Sequence, residues 1–94
     1  MRDVLESRIR DSLSASHVEV VDESHLHVGH AGAQSGGGHF RVVVVSGRFE
    51  GLSRVKAQQL VYAAMGEWMG REIHALSMQI FTPDAWRDRD PSAD

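Results

Sequence analysis

The chain has no cysteine, only two prolines and few aromatic residues, which make up 6% of its 94 residues. Without Cys no disulfide can staple the fold, and nothing indicates an oxidising compartment. A chain without thiolates also lacks the usual ligands of iron–sulfur clusters, so any such cluster would need sulfur from another molecule. The apolar content of 41% is sufficient for one hydrophobic core at this length.

Positive charge is also scarce, because 10 Lys and Arg face 13 Asp and Glu, for a formal net charge of −3. Non-specific binding to nucleic acid or to an anionic membrane depends on positive charge, so this balance argues against both. No apolar run approaches the length of a membrane span, and residues 1–15 are charged where a signal peptide would be apolar. We therefore expect a cytoplasmic protein.

Histidine, in contrast, occurs six times. His25, His27 and His30 lie in one short stretch, and His74 stands at the start of an apolar segment. Neutral imidazole is the commonest metal ligand in proteins. A zinc site in residues 25–30 would lack a fourth ligand, so a solvated histidine-rich loop is the simpler alternative. For His74 alone the alternative is a hydrogen-bonded core residue, and for His39 a structural role is favoured over a ligand role.

Hydrophobic periodicity predicts three helices and three strands. Helices are predicted over 1–15, over 52–69 and from Thr82 onward, and strands over 17–21, 40–45 and 72–81. The apolar face of the first helix consists of Val4, Leu5, Ile9 and Leu13. The apolar face of the second consists of Val55, Leu60, Val61, Met65 and Trp68. Four consecutive Val in 42–45 favour a central strand. The Gly-rich stretch 22–38 is predicted to be a loop.

This order predicts an α/β (α+β) fold, α-β-β-α-β-α. The first two strands can pair antiparallel across the loop. The third follows a helical crossover and should lie parallel to the second, with a right-handed connection. We expect a three-stranded mixed sheet with helices packed on one face, forming a single domain over residues 1–87 and followed by a polar C-terminal tail, 88–94.

Five segments of the chain are distinctive in combination: VVDESH at 20–25, GHFRVVVVS at 38–46, RFEG at 48–51, IHAL at 73–76 and TPDAW at 82–86. Together they resemble the BolA family, and the match runs in order from about residue 4 to about residue 87. Any one of these pieces alone would be weak, but their combination is specific. The resemblance implies a small domain like a class II KH domain, in agreement with the order derived above.

The resemblance also implies a function. BolA-like proteins pair with monothiol glutaredoxins and share a [2Fe-2S] cluster, for which glutaredoxin and glutathione provide the Cys ligands. The BolA side contributes the His of the HAL motif, which is His74 here, and a ligand from the loop between the first two strands. Counting forward from Glu23 gives His27 as the loop ligand, and counting backward from His39 gives His30. Gly29 slightly favours His30, because it lets the backbone turn the ring toward a partner.

The alternative is a nucleic-acid-binding transcriptional regulator that uses the KH-like fold. Where the family has an Arg-His-Arg run, this chain has Ala-Gln-Gln at 57–59, and it lacks the Gly-x-x-Gly clamp of true KH domains. The remaining basic candidates are Arg41, Arg48, Arg54 and Lys56. A third hypothesis is a module that docks glutaredoxin without a cluster. No nucleophile–base set is evident, so we do not expect an enzyme.

Overall fold

The computed structural model describes residues 2–23 and 38–89 and contains three helices and three strands in this part of the chain. They are α1 (Arg2–Leu13), β1 (His17–Asp22), β2 (Gly38–Val45), α2 (Arg54–Met65), β3 (Ile73–Phe81) and α3 (Pro83–Asp88). Short 3₁₀ turns lie at Gly47–Phe49 and Gly66–Trp68. The predicted order α-β-β-α-β-α is confirmed.

The three strands form one mixed sheet with β2 in the centre, β1 antiparallel to it and β3 parallel to it. The valines of β2 explain its central position, since Val42, Val44 and Val45 are fully buried. β2 begins at Gly38, which the sequence predicts to lie in the loop. The backbone N–H of Gly38 donates to the carbonyl of Glu72 at 2.9 Å, and this bond extends the strand toward its N-terminus.

One face of the sheet carries α1 and α2, and the core lies between them and the strands. The helices bury narrow stripes at a spacing of four residues, Leu5, Ile9 and Leu13 in α1 and Ala57, Val61 and Met65 in α2. Two predicted core residues lie outside these stripes, because Val4 is 54% exposed and Val55 is 61% exposed. The predicted apolar faces were therefore too broad at both positions.

The opposite face, called the open face below, carries the neighbouring exposed residues Val21, Arg41 and Ser77 on the three strands. One end of it is covered by Trp86 of α3, whose ring stacks on His17 at 4.8 Å between centroids and meets Phe81 edge-on at 5.2 Å. Trp86 therefore covers this end of the open face.

α3 begins as predicted after Thr82, whose hydroxyl caps the helix by accepting a hydrogen bond from the Ala85 N–H at 3.2 Å, and Pro83 is the first helical residue. Across the described ranges, no helix combines the length and the apolar character that a bilayer crossing requires.

Candidate functional site

His74 lies in a β-bulge at the start of β3. In the register of the two parallel strands Gly38 pairs with Ile73 and His39 pairs with Ala75, so that His74 is the extra residue without a partner. A bulge of this kind bends the strand and re-aims the side chain of the extra residue. Backbone contacts at this point hold it, since the N–H of Gly70, with φ +85°, donates to the Ile73 carbonyl at 2.8 Å.

The bulge changes which residues of β3 share a face. Strict alternation predicts that Ile73 lies with Ala75, and that His74 lies with Leu76 and Met78. Instead Ile73 is fully buried, Leu76 and Met78 pack against the core, and His74 is exposed. The alternation prediction is therefore wrong at this end of β3, because it assumes an unbroken period of two. The exposure of His74 also excludes its role as a buried core histidine.

A second imidazole lies next to His74. The ring of His39 has its centroid 5.2 Å from that of His74, with an angle of 34° between the ring planes. His39 is half-buried, and its carbonyl accepts a hydrogen bond from the Glu23 N–H at 2.8 Å. This proximity is not among the sequence predictions. The sequence feature that could have indicated it is the predicted parallel pairing of β2 and β3, because the first residues of two parallel neighbouring strands lie side by side.

The predicted loop ligands His27 and His30, like His25, lie outside the described residues. The two flanking residues of that segment, Glu23 and Gly38, are described, and both lie at the end of the sheet where β3 begins. A ligand supplied by the segment between them therefore has its chain attached close to His74.

The imidazoles at this end of the sheet could supply part of the ligands of a cluster shared with another molecule, but they do not make a complete metal site. Within residues 2–23 and 38–89, no group of three or more His, Cys, Asp or Glu is placed to hold a metal ion. His39 and His74 offer two imidazole donors, and two His ligands on one iron are the arrangement known from Rieske centres. The chain has no Cys, so a cluster held here would need its sulfur ligands from another molecule.

The four basic candidates do not form one patch. Arg41 lies on the open face, with its Nε 3.7 Å from a carboxylate oxygen of Glu23. Arg48, Arg54 and Lys56 are exposed on the turn after β2 and on the first turn of α2, which packs on the other face of the sheet. Arg41 and the pair Arg54 and Lys56 therefore lie on different faces of the sheet.

At the first position of the family's basic run, the structure has a small side chain in the core. Ala57 is 4% exposed, whereas Gln58 is half-buried and Gln59 is exposed. Ala57, Gln58 and Arg54 contribute to a groove of about 580 Å³ between the start of α2 and the end of β3. This groove lies at the opposite end of β3 from His74, so it is not part of the imidazole site.

Similarity to known proteins covers most of the chain. Residues 9–85 match the BolA family, described as BolA-like protein. BolA-like protein 1 of Homo sapiens is 42% identical over 84 residues, which cover 89% of this chain and 59% of the human protein. The DNA-binding transcriptional regulator BolA of Haemophilus influenzae is 31% identical over 87 residues, which cover 93% of this chain and 82% of the relative.

Among solved structures, the BolA domain of SufE1 from Arabidopsis thaliana superimposes with a TM-score of 0.76 at 31% identity. The similarity covers 88% of this chain and 92% of that domain. The three-stranded mixed sheet with its helices is therefore shared with solved BolA structures.

Proposed function

The chain belongs to the BolA-like protein family, and from that premise we propose that it is an adaptor that binds a monothiol glutaredoxin and co-ligates a bridging [2Fe-2S] cluster. Glutaredoxin and glutathione supply the thiolates. This chain supplies His74 and one imidazole of the segment between β1 and β2, His27 or His30. The complex serves cluster assembly, cluster transfer or iron regulation, and the adaptor itself is not an enzyme.

The observation that carries this proposal is the exposed position of His74 in the bulge. A side chain that neither fills the core nor pairs in the ladder is free to meet a group on another molecule. The flanking residues of the loop, Glu23 and Gly38, lie at the same end of the sheet, which supports a ligand from that loop. His39, 5.2 Å from His74, is a further candidate, either as a ligand or as a residue that positions the His74 ring.

The absence of Cys supports an obligatory partner. Two imidazoles alone leave most coordination positions of two irons unfilled, so the isolated chain should not retain a cluster. When bound, the cluster would supply transferable iron and sulfide and a redox centre whose potential is raised by its His ligands. The tasks of this chain are to dock the partner and to present neutral imidazole nitrogens.

Co-expression with a monothiol glutaredoxin tests the proposal. The purified complex should show the visible absorption and circular dichroism of mixed Cys and His ligation, and His74→Ala should abolish this spectrum. His17→Ala is the matched control, since His17 pairs with Val45 at the opposite end of the sheet. An unchanged spectrum in His74→Ala, or equal losses in both variants, would contradict the assignment.

The same spectra assign the second ligand. Three variants, His27→Ala, His30→Ala and His39→Ala, would each be purified with glutaredoxin. The variant that lacks the second ligand should lose the mixed-ligand spectrum, and the other two should keep it. A stable complex without visible absorption in the wild type would instead favour the module that docks glutaredoxin without a cluster.

The second candidate function is nucleic-acid binding, favoured by the name of the Haemophilus influenzae relative, a DNA-binding transcriptional regulator. Exposed Arg48, Arg54 and Lys56 would carry it at the start of α2. Affinity for duplex DNA with a steep salt dependence, reduced in Arg54→Ala with Lys56→Ala, would support it. Absence of binding at about 50 mM salt, where phosphate contacts are strong, would exclude it.

A further inference from the structure

The two edge strands of the sheet differ in how they are protected against pairing with another chain. β1 carries the carboxylates of Glu19 and Asp22. β3, the other edge, has no charged residue, no Pro and no Gly in its nine residues, Ile73–Phe81. Charges and Pro are the usual devices that keep an edge strand from accepting another strand. Beyond the bulge at His74, β3 has none of these devices.

The backbone of β3 presents a regular row of hydrogen-bonding groups on its outer side. The Phe81 carbonyl accepts a hydrogen bond from the Ser46 N–H at 3.1 Å, so the backbone of Phe81 faces β2. Because backbone groups alternate in direction along a strand, those of Leu76, Met78 and Ile80 point away from β2. No hydrogen bond from another residue of the described ranges reaches these groups.

We propose that this outer edge of β3 pairs with the same edge of a second copy of the chain, antiparallel about a two-fold axis at Met78. In this register Leu76 faces Ile80 of the second copy and Met78 faces its own equivalent. All three residues have outward backbone groups, so each opposing pair is of the hydrogen-bonded type. Two three-stranded sheets then join into one continuous sheet in which neither copy has an unpaired β3 edge.

The side chains suit this register on both faces of the sheet. Leu76, Met78 and Ile80 pack only partly against the core, so their remaining exposed surface would be covered by the apolar residues of the second copy. On the open face Ser77 would lie opposite Gln79, and both are exposed and uncharged.

The lack of charge favours a second copy as the occupant. A strand that pairs with itself places identical charges near one another, and β3 has none to repel. The contact is isologous, so it closes at two copies and leaves no free β3 edge. His74 lies outside the paired segment 76–80, and the inference therefore does not depend on the proposed cluster.

Sedimentation of the full chain from about 1 µM to about 1 mM tests this inference, a range that covers weak dimers. The wild type should shift from monomer to dimer. Ser77→Lys with Gln79→Lys puts like charges opposite each other twice and should weaken the dimer at least about tenfold. Ser77→Lys with Gln79→Glu puts opposite charges there instead and should retain it.

Glu67→Lys is the matched control, because it changes the net charge by the same amount as the double lysine variant, at an exposed position away from β3. It should dimerise like the wild type, and circular dichroism should show all variants folded. In hydrogen exchange, the amides of Leu76, Met78 and Ile80 should gain protection as the concentration rises. A wild type that stays monomeric throughout, or a double lysine variant that dimerises as tightly as the lysine–glutamate variant, would overturn the inference.

Discussion

Replacement of the buried Ser46 by Ala should destabilise the fold more than a Ser-to-Ala change at an exposed position. Ser46 is 1% exposed, directly after β2. Its hydroxyl donates to the Leu13 carbonyl at 2.6 Å and accepts a hydrogen bond from the Arg48 N–H at 3.0 Å. One side chain thus connects the end of α1, the end of β2 and the following 3₁₀ turn.

The magnitude follows from the two groups that lose their partner. Leu13 is the last residue of α1, where carbonyls have no partner within the helix, and an unsatisfied buried carbonyl costs about 1–3 kcal/mol. The loss of the cap on Arg48 adds about 0.5 kcal/mol, at the low end for caps because Arg48 is exposed to water. We expect a loss of about 2 kcal/mol in the free energy of unfolding, equivalent to about 8–16 °C in Tm for a domain of this size.

Urea denaturation followed by circular dichroism measures this loss. Ser77→Ala is the control, since Ser77 is exposed on the open face, and it should change stability by less than about 0.5 kcal/mol. The slope of the transition should be the same in both variants, because neither changes the surface exposed on unfolding. If Ser46→Ala is as stable as Ser77→Ala, the two hydrogen bonds do not link the elements as described.

Three further predictions concern packing. Met65→Ala should lower the free energy of unfolding by about 2–5 kcal/mol in urea denaturation because Met65 is fully buried. Val55→Ala should lower it by less than about 0.5 kcal/mol, because Val55 is exposed, and equal losses would refute the narrow buried stripe on α2. Trp86→Ala should lower the free energy of unfolding, measured by thermal denaturation, by about 1–3 kcal/mol, because it removes the ring contacts with His17 and Phe81 and the cation–π contact with Arg89. An unchanged stability would contradict the covering role of Trp86. Arg8→Ala should cost about 0.5–1 kcal/mol, since its guanidinium carbon lies 4.1 Å from the Trp68 ring centroid, and the loss should disappear in a Trp68→Ala background.

The elements of the fold were predictable because their signals are local. The valines of residues 42–45 indicate a central strand by composition alone, and Thr82 with Pro83 marks the start of α3 by capping chemistry. The parallel placement of β3 also follows from its connection, because parallel strands are joined by a long crossover, which here contains α2.

The geometry around His74 was not predictable, because it depends on contacts between distant segments. The bulge is held by hydrogen bonds from the N–H groups of Gly70 and Gly38 to the carbonyls of Ile73 and Glu72. The hydrophobic pattern of β3 contains no information about these bonds. The proximity of His39 follows from the register that the bulge creates. For α2, the pattern overestimated the buried face at Val55, since periodicity indicates a face but not its width.

Pulsed electron paramagnetic resonance on the reduced complex with glutaredoxin tests the central claim most directly. When only this chain carries ¹⁵N-labelled histidine, the reduced cluster should show strongly coupled ¹⁵N nuclei, and His74→Ala should abolish this coupling together with the mixed-ligand spectrum. A cluster-containing complex without ¹⁵N coupling, or with the same coupling in His74→Ala, would contradict the proposal that His74 is a ligand.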